Sequence, residues 1–213
     1  MPVLQSLAPV RAAGGEVLLV DGGSGDDTVA RALPWVDRAL TSARGRARQM
    51  NAGAAAASGD VLWFVHADSP VDPEAMADLR CAFARGETAW ARFGVRLSGR
   101  RWIYRLIAFL MNRRSCWTGI ATGDQAIAVR RSVFAAVGGC PELPLMEDIA
   151  LSRRLRARAR PVCLPVRVTT SSRRWEQRGV WRTIWLMWSL RWAYWRGADV
   201  ARLAQRYHGE PSP

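Results

Sequence analysis

Val61-Leu62-Trp63-Phe64-Val65-His66-Ala67-Asp68-Ser69-Pro70 decides how this chain is read. An apolar run without a polar break ends in a histidine, an aspartate and a proline. A run of that kind, bounded by turn residues, fits a strand buried on both faces of a parallel sheet. Such sheets bind ligands beyond the carboxyl ends of their strands, where His66 and Asp68 fall. Val17-Leu18-Leu19-Val20 repeats the pattern and ends in Asp21-Gly22-Gly23-Ser24-Gly25-Asp26-Asp27-Thr28. A third acidic cluster, Glu147-Asp148, stands between Leu145-Met146 and Ile149. Carboxylates so placed can hold a metal, a ribose or a reacting hydroxyl, and together they point to an enzyme.

Strands and helices alternate outward from these segments. A poor helix over 1–14 is broken by Gly14-Gly15 before a strand at 16–20. The acidic turn then leads into a helix over 28–36. Alanine dominates the later half of 41–57, which predicts a helix just before strand 61–65. Asp72-Pro73-Glu74 opens another helix that ends near Arg85. Further strands are expected at 89–97, 125–129 and 162–168, the last at an edge or bulge because Pro165 lacks a donor. Helices are expected at 102–111, 132–137 and 147–158. The alternation predicts an α/β fold with a mostly parallel sheet and helices on both faces.

Bulk properties narrow the functional classes. At 213 residues the chain can bury a sizeable single core. All 31 basic residues are arginine and the net charge is +13, which predicts attraction to nucleotides or anionic lipid. The arginines are scattered, and no zinc-finger, helix-turn-helix or RNA-binding signature accompanies them, so nucleic acid is not expected as a partner. Cys81, Cys116, Cys140 and Cys163 form no CxxC pair, so neither a zinc site nor a compact disulfide scaffold is indicated. A reducing cytoplasm is the easiest fit. No signal peptide and no membrane-spanning run is recognisable, which leaves a soluble protein or one at a membrane surface.

The last quarter has a different character. Trp181, Trp185, Trp188, Trp192 and Trp195 recur at steps of four, three, four and three, which forms one stripe on a helix closed by Gly197. Two readings stand side by side: a helix packed on the domain or on a partner subunit, and an interfacial helix. In the second, tryptophan sits at headgroup depth while Arg182, Arg191 and Arg196 meet anionic lipid. Trp102, Ile103, Leu106, Phe109 and Leu110 would extend that patch.

Single residues offer chemistry, each with a structural counterpart. Asp21 can accept hydrogen bonds from a ribose or base, and Gly22-Gly23 permit close approach; an Asx-type turn would serve the same residues. Neither GxGxxG nor a P-loop signature is present. Asp68 suits a hard divalent ion bridging diphosphate oxygens, and His66, a softer ligand, would favour manganese over magnesium. Arg46, with Arg44, Arg48 and Asn51 nearby, can reach a nucleobase or diphosphate. Asp124 can orient a polyol acceptor, with Trp117 stacking on its apolar face. Glu147 and Asp148 oppose each other's ionisation, and a partly buried member of the pair can act as a base. Arg173-Arg174-Trp175 can neutralise a leaving diphosphate.

Taken in order, these segments resemble family 2 glycosyltransferases. Val20–Thr28 with Arg44–Gly53 is similar to the family's opening, Val65–Ser69 to its metal-binding aspartate motif. Thr122-Gly123-Asp124-Gln125, Met146-Glu147-Asp148 and Arg173-Arg174-Trp175 match later segments, so the resemblance spans about residues 4–205. It is strongest to a small bacterial subgroup found beside radical-SAM or selenium-associated genes. The resemblance implies a GT-A-like catalytic domain over 1–175 and a C-terminal amphipathic helical extension over 176–213. It also implies a nucleotide-diphosphate sugar donor, Mn2+ or Mg2+, and inverting transfer to a hydroxyl acceptor, with lipids, small metabolites and peptides all open.

By the same resemblance Asp148 is the base beside Glu147, and Asp68, with His66, is the metal site. Asp21, Gly23, Arg46, Asn51, Asp68, Asp124, Arg174 and Trp175 then contact the nucleotide sugar. Ser171 stands where the family's late Gln-x-x-Arg-Trp element has glutamine, which argues against a processive polysaccharide synthase. The family's first strand and Pro-x-x-Asn-Glu turn have no counterpart, which leaves three readings, an upstream start foremost, a structural compensation, or impaired donor binding. A nucleotidyltransferase and a membrane-associated scaffold with a degenerate site are the competing classes. The expected location is the cytoplasm or the inner face of its membrane.

Overall fold

The computed structural model describes residues 2–209. In chain order the elements are α1 (Pro2–Ser6), α2 (Ala8–Ala12), β1 (Leu18–Asp21), α3 (Thr28–Ala32), β2 (Arg38–Thr41) and α4 (Arg46–Ala56). Then come β3 (Val61–Trp63), α5 (Ala75–Ala84), β4 (Trp90–Leu97), α6 (Trp102–Thr118), β5 (Ala128–Arg130) and α7 (Arg131–Ala136). The chain closes with α8 (Glu147–Arg158), β6 (Val162–Thr170), α9 (Arg173–Arg178), α10 (Val180–Trp195) and α11 (Val200–His208). The outermost ends of the two regions expected at 1–175 and 176–213, Met1 and residues 210–213, lie outside the described residues.

The α/β fold with flanking helices is the one the apolar runs predict. β1 and β2 pair in parallel, and a second sheet has the order β3-β5-β4-β6. Within it β4 and β6 are parallel, whereas β5 runs antiparallel to both β3 and β4. β3, β4 and β6 therefore share one direction and β5 alone is reversed. Alternation along the strands feeds two cores. Val61, Trp63, Ala91, Phe93 and Ala128 face a cluster covered by Val3, Leu7, Leu79 and Phe83 of α1, α5 and the turn between α1 and α2. Leu62, Trp90 and Val129 face Ala47, Phe134, Leu151 and Leu155 of α4, α7 and α8. Burial on both faces is why β3 reads as a continuous apolar run.

Pro165 does what its chemistry requires. β6 is an edge strand, and its register against β4 shifts between Arg92 and Gly94, opposite the stretch that contains the proline. Three local expectations need correction. The segment Arg38–Thr41 is a strand that its short, half-exposed sequence did not announce. Residues 123–125 form a 3-10 turn rather than the start of a strand, so β5 begins at Ala128. Cys116 and Cys163, far apart in sequence, are joined by a disulfide that ties α6 to β6. Among the described residues, no helix is long and apolar enough to cross a membrane.

Candidate active site

The site is assembled where β3, α4, the 122–125 turn and α8 meet. Arg46, in the first turn of α4, forms an ion pair with Glu147 at 3.1 Å and contacts Nε2 of His66. Gly123 lies directly beneath that guanidinium: a Cβ there would collide with Arg46 and come within 2.6 Å of His66 Nε2. A side chain at 123 would therefore displace the Arg46 guanidinium or the His66 ring from the site. The amide of Gly123 donates to Asp148 Oδ2 at 2.8 Å, and the amide of Ile149 donates to Oδ1 at 2.7 Å. The base candidate is therefore held from two directions at the start of α8.

Both supporting loops are rigid for identifiable reasons. In the 122–125 turn the Gln125 backbone amide donates to the Thr122 carbonyl at 2.9 Å, and the Thr122 amide donates back to Gln125 Oε1 at 3.2 Å. The Gln125 side-chain amide also donates to Ser115 Oγ at 2.8 Å, which anchors the turn to α6. Met146 precedes α8 in the left-handed region, with φ of 63°. Non-glycine residues hold that conformation only where the surroundings over-determine it, often at functional sites. Met146 is buried beside Leu190 and Leu203, so α10 and α11 pack over the start of α8.

Electrostatics bind these groups into one unit. Burial pushes the Glu147 carboxyl up, Asp148 adds to the shift, and Arg46 opposes it. Asp124 is also raised; desolvation by its crowded setting leads, Arg46 opposes, and Asp148 and Asp68 contribute. Its side chain keeps 43% of its exposure, so a ligand can still reach it. His66 is driven down to about 4, first by burial and then by Arg46. Its Nδ1 lies 4.0 Å from Asp124. Asp68, Asp124, Glu147 and Asp148 thus surround Arg46 and His66.

Other expected residues fall around this centre in different ways. Asp21 accepts from the Gly23 amide at 2.9 Å, the Ser24 amide at 2.8 Å and Ser24 Oγ at 2.6 Å, and these bonds lower its carboxyl, the Ser24 hydroxyl most. Gly23, at φ of 91°, makes that tight turn possible. The turn is tied to α4 by Gln49, which donates to the Val20 carbonyl at 2.9 Å. It therefore adjoins α4 one turn beyond Arg46. Both polar atoms of the Asn51 amide are committed to the Cys140 backbone, at 2.9 and 2.8 Å. Asn51 thus braces α4 against the 138–140 loop.

Arg174 stacks 4.1 Å over the ring of Tyr207, and Trp175 packs with Leu97, Tyr104 and Ile107. Trp117 stands apart: Arg160 and Arg156 bind the carbonyls of Trp117 and Thr118, at the opposite end of α8 from Asp148. Three nearby groups were not legible beforehand. Arg191 of α10 and Arg114 of α6 both feel Asp148, and Tyr207 of α11 feels Arg174, Asp124 and Arg46. Nothing in a chain with 31 arginines marks these two as special.

Among the described residues, no group of three or more His, Cys, Asp or Glu side chains is arranged to enclose a metal ion. Asp68 is exposed; one carboxylate oxygen accepts from Ser69 Oγ at 3.0 Å and the other has no hydrogen bond among the described residues. That suits an ion that arrives with phosphates, since magnesium-type sites use one or two carboxylates and fill the rest with substrate oxygens and water.

Comparisons with known proteins identify the family and the fold. The family model described as Glycosyl transferase family 2 matches residues 3–138, a span that includes Asp21, Asp68 and Asp124 but stops before Asp148. Among solved structures, S. aureus TarS 1-349 in complex with UDP is similar at a TM-score of 0.64 and 17% identity, covering 80% of this chain and 55% of that one. Glucosyl-3-phosphoglycerate synthase from Mycobacterium tuberculosis, in complex with Mn2+, UDP and glucosyl-3-phosphoglycerate, is similar at 0.57 and 19%, covering 79% and 64%. The chain thus spans little more than half of TarS 1-349, and at these identities the likeness is one of fold. Among curated proteins, none matches the sequence at a significant level.

Proposed function

The chain belongs to glycosyltransferase family 2, whose model matches more than half of it, and from that premise we propose that it transfers a sugar from a nucleotide-diphosphate donor to a hydroxyl acceptor. The observation that carries this is the convergence of Asp68, Asp124, Glu147 and Asp148 on the Arg46–His66 pair, with Asp148 held by the Gly123 amide. Asp148 takes the acceptor's proton as the hydroxyl oxygen attacks the anomeric carbon, and the nucleoside diphosphate leaves from the opposite face, inverting the centre. Glu147 holds Arg46 in place. Arg46 and Arg174 answer the charge that develops on the departing diphosphate. Asp21 and Gly23 line the nucleoside end, and Trp175 supports Arg174.

Asp68, with His66 beside it, would hold a divalent ion, Mn2+ or Mg2+, which when bound neutralises diphosphate charge. The ring nitrogen that meets Arg46 is not free for that ion, so Asp68 is the principal protein ligand.

The enzyme works at an anionic membrane surface. All five tryptophans of the α10 stripe are between 61 and 77% exposed. The opposite face of α10, through Leu190, Leu186 and Ala193, packs on α11 and the start of α8. α6 lies beside α10 through Ile103, Ile107 and Ile184 and exposes Trp102, Leu106, Phe109 and Leu110. A tryptophan side chain offers roughly 200 Å², so the stripe alone presents on the order of 700 Å², beyond the largest apolar patch of a typical monomer. Arginines flank it, Arg113 over Phe109 and Arg196 over Trp192. Two copies meeting through this face would bring like charges together, whereas anionic headgroups complement them.

The test is a panel of nucleotide sugars with Mn2+ and lipid vesicles, monitored for nucleoside diphosphate and for pyrophosphate. Release of nucleoside diphosphate with a sugar-bearing product is expected. Pyrophosphate release would indicate nucleotidyl transfer, and no turnover or binding with any donor would contradict the assignment.

A further inference from the structure

Most buried arginines of this chain have found acceptors. Arg92 donates to the carbonyls of Asn112 and Phe93, and Arg130 to those of Thr88 and Phe83. Arg114 and Arg191 have not. Neither side chain forms a hydrogen bond or an ion pair with any described residue, and Nε and Nη2 of Arg114 are shut off from solvent without an acceptor. A buried polar group left unpaired costs about 1–3 kcal/mol, and more when charged. Burial, with Arg191 close by, holds Arg114 down to about 10, which still leaves it a cation at neutral pH. Two unmet guanidinium groups within electrostatic reach of each other need an anion.

Their position says which substrate brings it. Ser115, next to Arg114, is hydrogen-bonded to the 122–125 turn that holds Asp148, and Leu190, next to Arg191, packs on Met146 at the start of α8, so both arginines flank Asp148, whose charge both feel. Asp68 marks the donor's diphosphate, and Asp148 marks the acceptor. Guanidinium groups are well matched to phosphate oxygens, which they bind through paired N–H donors. We propose that Arg114 and Arg191 form a binding site for a phosphate group on the acceptor, beside the hydroxyl that Asp148 deprotonates. The proposal rests on the glycosyl-transfer assignment for the name of the substrate, but the anion site itself does not depend on it. Arg191 adjoins Trp192 on α10, so a phosphate-bearing amphiphile at the lipid surface would find the site one residue from the tryptophan face.

Calorimetric titration of the full chain with inorganic phosphate, and separately with UDP, tests this. Arg191→Gln and Arg114→Gln should each weaken phosphate binding at least tenfold and leave UDP affinity within twofold. Arg191→Lys should recover part of the phosphate affinity. Arg153→Gln, at an exposed arginine, should change neither and so controls for general cationic attraction. Removing an unpaired buried charge should leave the melting temperature of Arg114→Gln equal to or above that of the parent. Phosphate affinity insensitive to both substitutions would overturn the proposal. Equal loss of UDP and phosphate would overturn it too, by assigning the arginines to the donor. Arginine-dependent phosphate binding without any UDP binding would uphold the anion site while contradicting the donor assignment.

Discussion

Replacing Trp188 by alanine should weaken binding to phosphatidylglycerol-containing vesicles while leaving the fold intact. Trp188 is 68% exposed and lies in the middle of the α10 stripe. With roughly 200 Å² for a tryptophan side chain, on the order of 140 Å² is open to solvent. If about half of that leaves water on docking, at about 25 cal/mol per Å² the loss is close to 2 kcal/mol. That corresponds to a roughly 20-fold weaker partition, since about 1.4 kcal/mol is tenfold. Removing Trp185, Trp188 and Trp192 together should abolish sedimentation with vesicles. Thermal melting without lipid should change little, because an exposed ring contributes within about 0.5 kcal/mol to folding. Vesicle co-sedimentation across a lipid titration measures the effect. Unchanged partition in the single and triple variants would refute the lipid assignment, and a large loss of thermal stability would show that the rings pack inside the protein.

Two more outcomes follow from the site. Asp68→Ala should remove the Mn2+-dependent part of donor binding: a thermal-shift series with UDP-sugar should show stabilisation by Mn2+ in the parent and none in the variant. Equal stabilisation in both would clear Asp68 of that role. His66 carries a pH signature. Burial and then Arg46 hold its ring at about 4, whereas an unfolded histidine titrates near about 6.5. Between those values the unfolded chain binds more protons, so stability falls as pH drops through that window, by on the order of 2–3 kcal/mol. His66→Gln should flatten this part of the melting-temperature curve, and an unaltered slope would contradict the burial of a neutral ring.

What the sequence disclosed follows from how strongly each element is constrained. A strand packed on both faces cannot hide: β3 shows as an apolar run, and His66 and Asp68 just beyond it read as chemistry. Pro165 declared an edge because a missing amide cannot pair inside a sheet. β2 stayed hidden because Arg38-Ala39-Leu40-Thr41 is short and its outer residues are exposed. The disulfide left no spacing signature, as its partners are 47 residues apart. The tryptophan stripe was visible, but only its solvent exposure separates an outward-facing surface from packing on this domain. Asp21 illustrates the limit in another way: the sequence allows both a ribose contact and a turn, and only the structure shows that the turn engages both carboxylate oxygens while leaving Oδ1 room for a second bond. Arg114 and Arg191 matter through lacking partners, a property that exists only in three dimensions.

The decisive measurement is transfer by Asp148→Asn at saturating nucleotide sugar and Mn2+, together with the donor affinity of the same variant. Asparagine keeps an oxygen for the Gly123 amide yet cannot accept the acceptor's proton. Turnover should fall by about 10²–10⁴-fold, the usual share of a positioned base, with donor affinity within about twofold. Near-normal turnover in that variant would mean that the proton leaves by another route and that the acids gathered around Arg46 do not perform the transfer described.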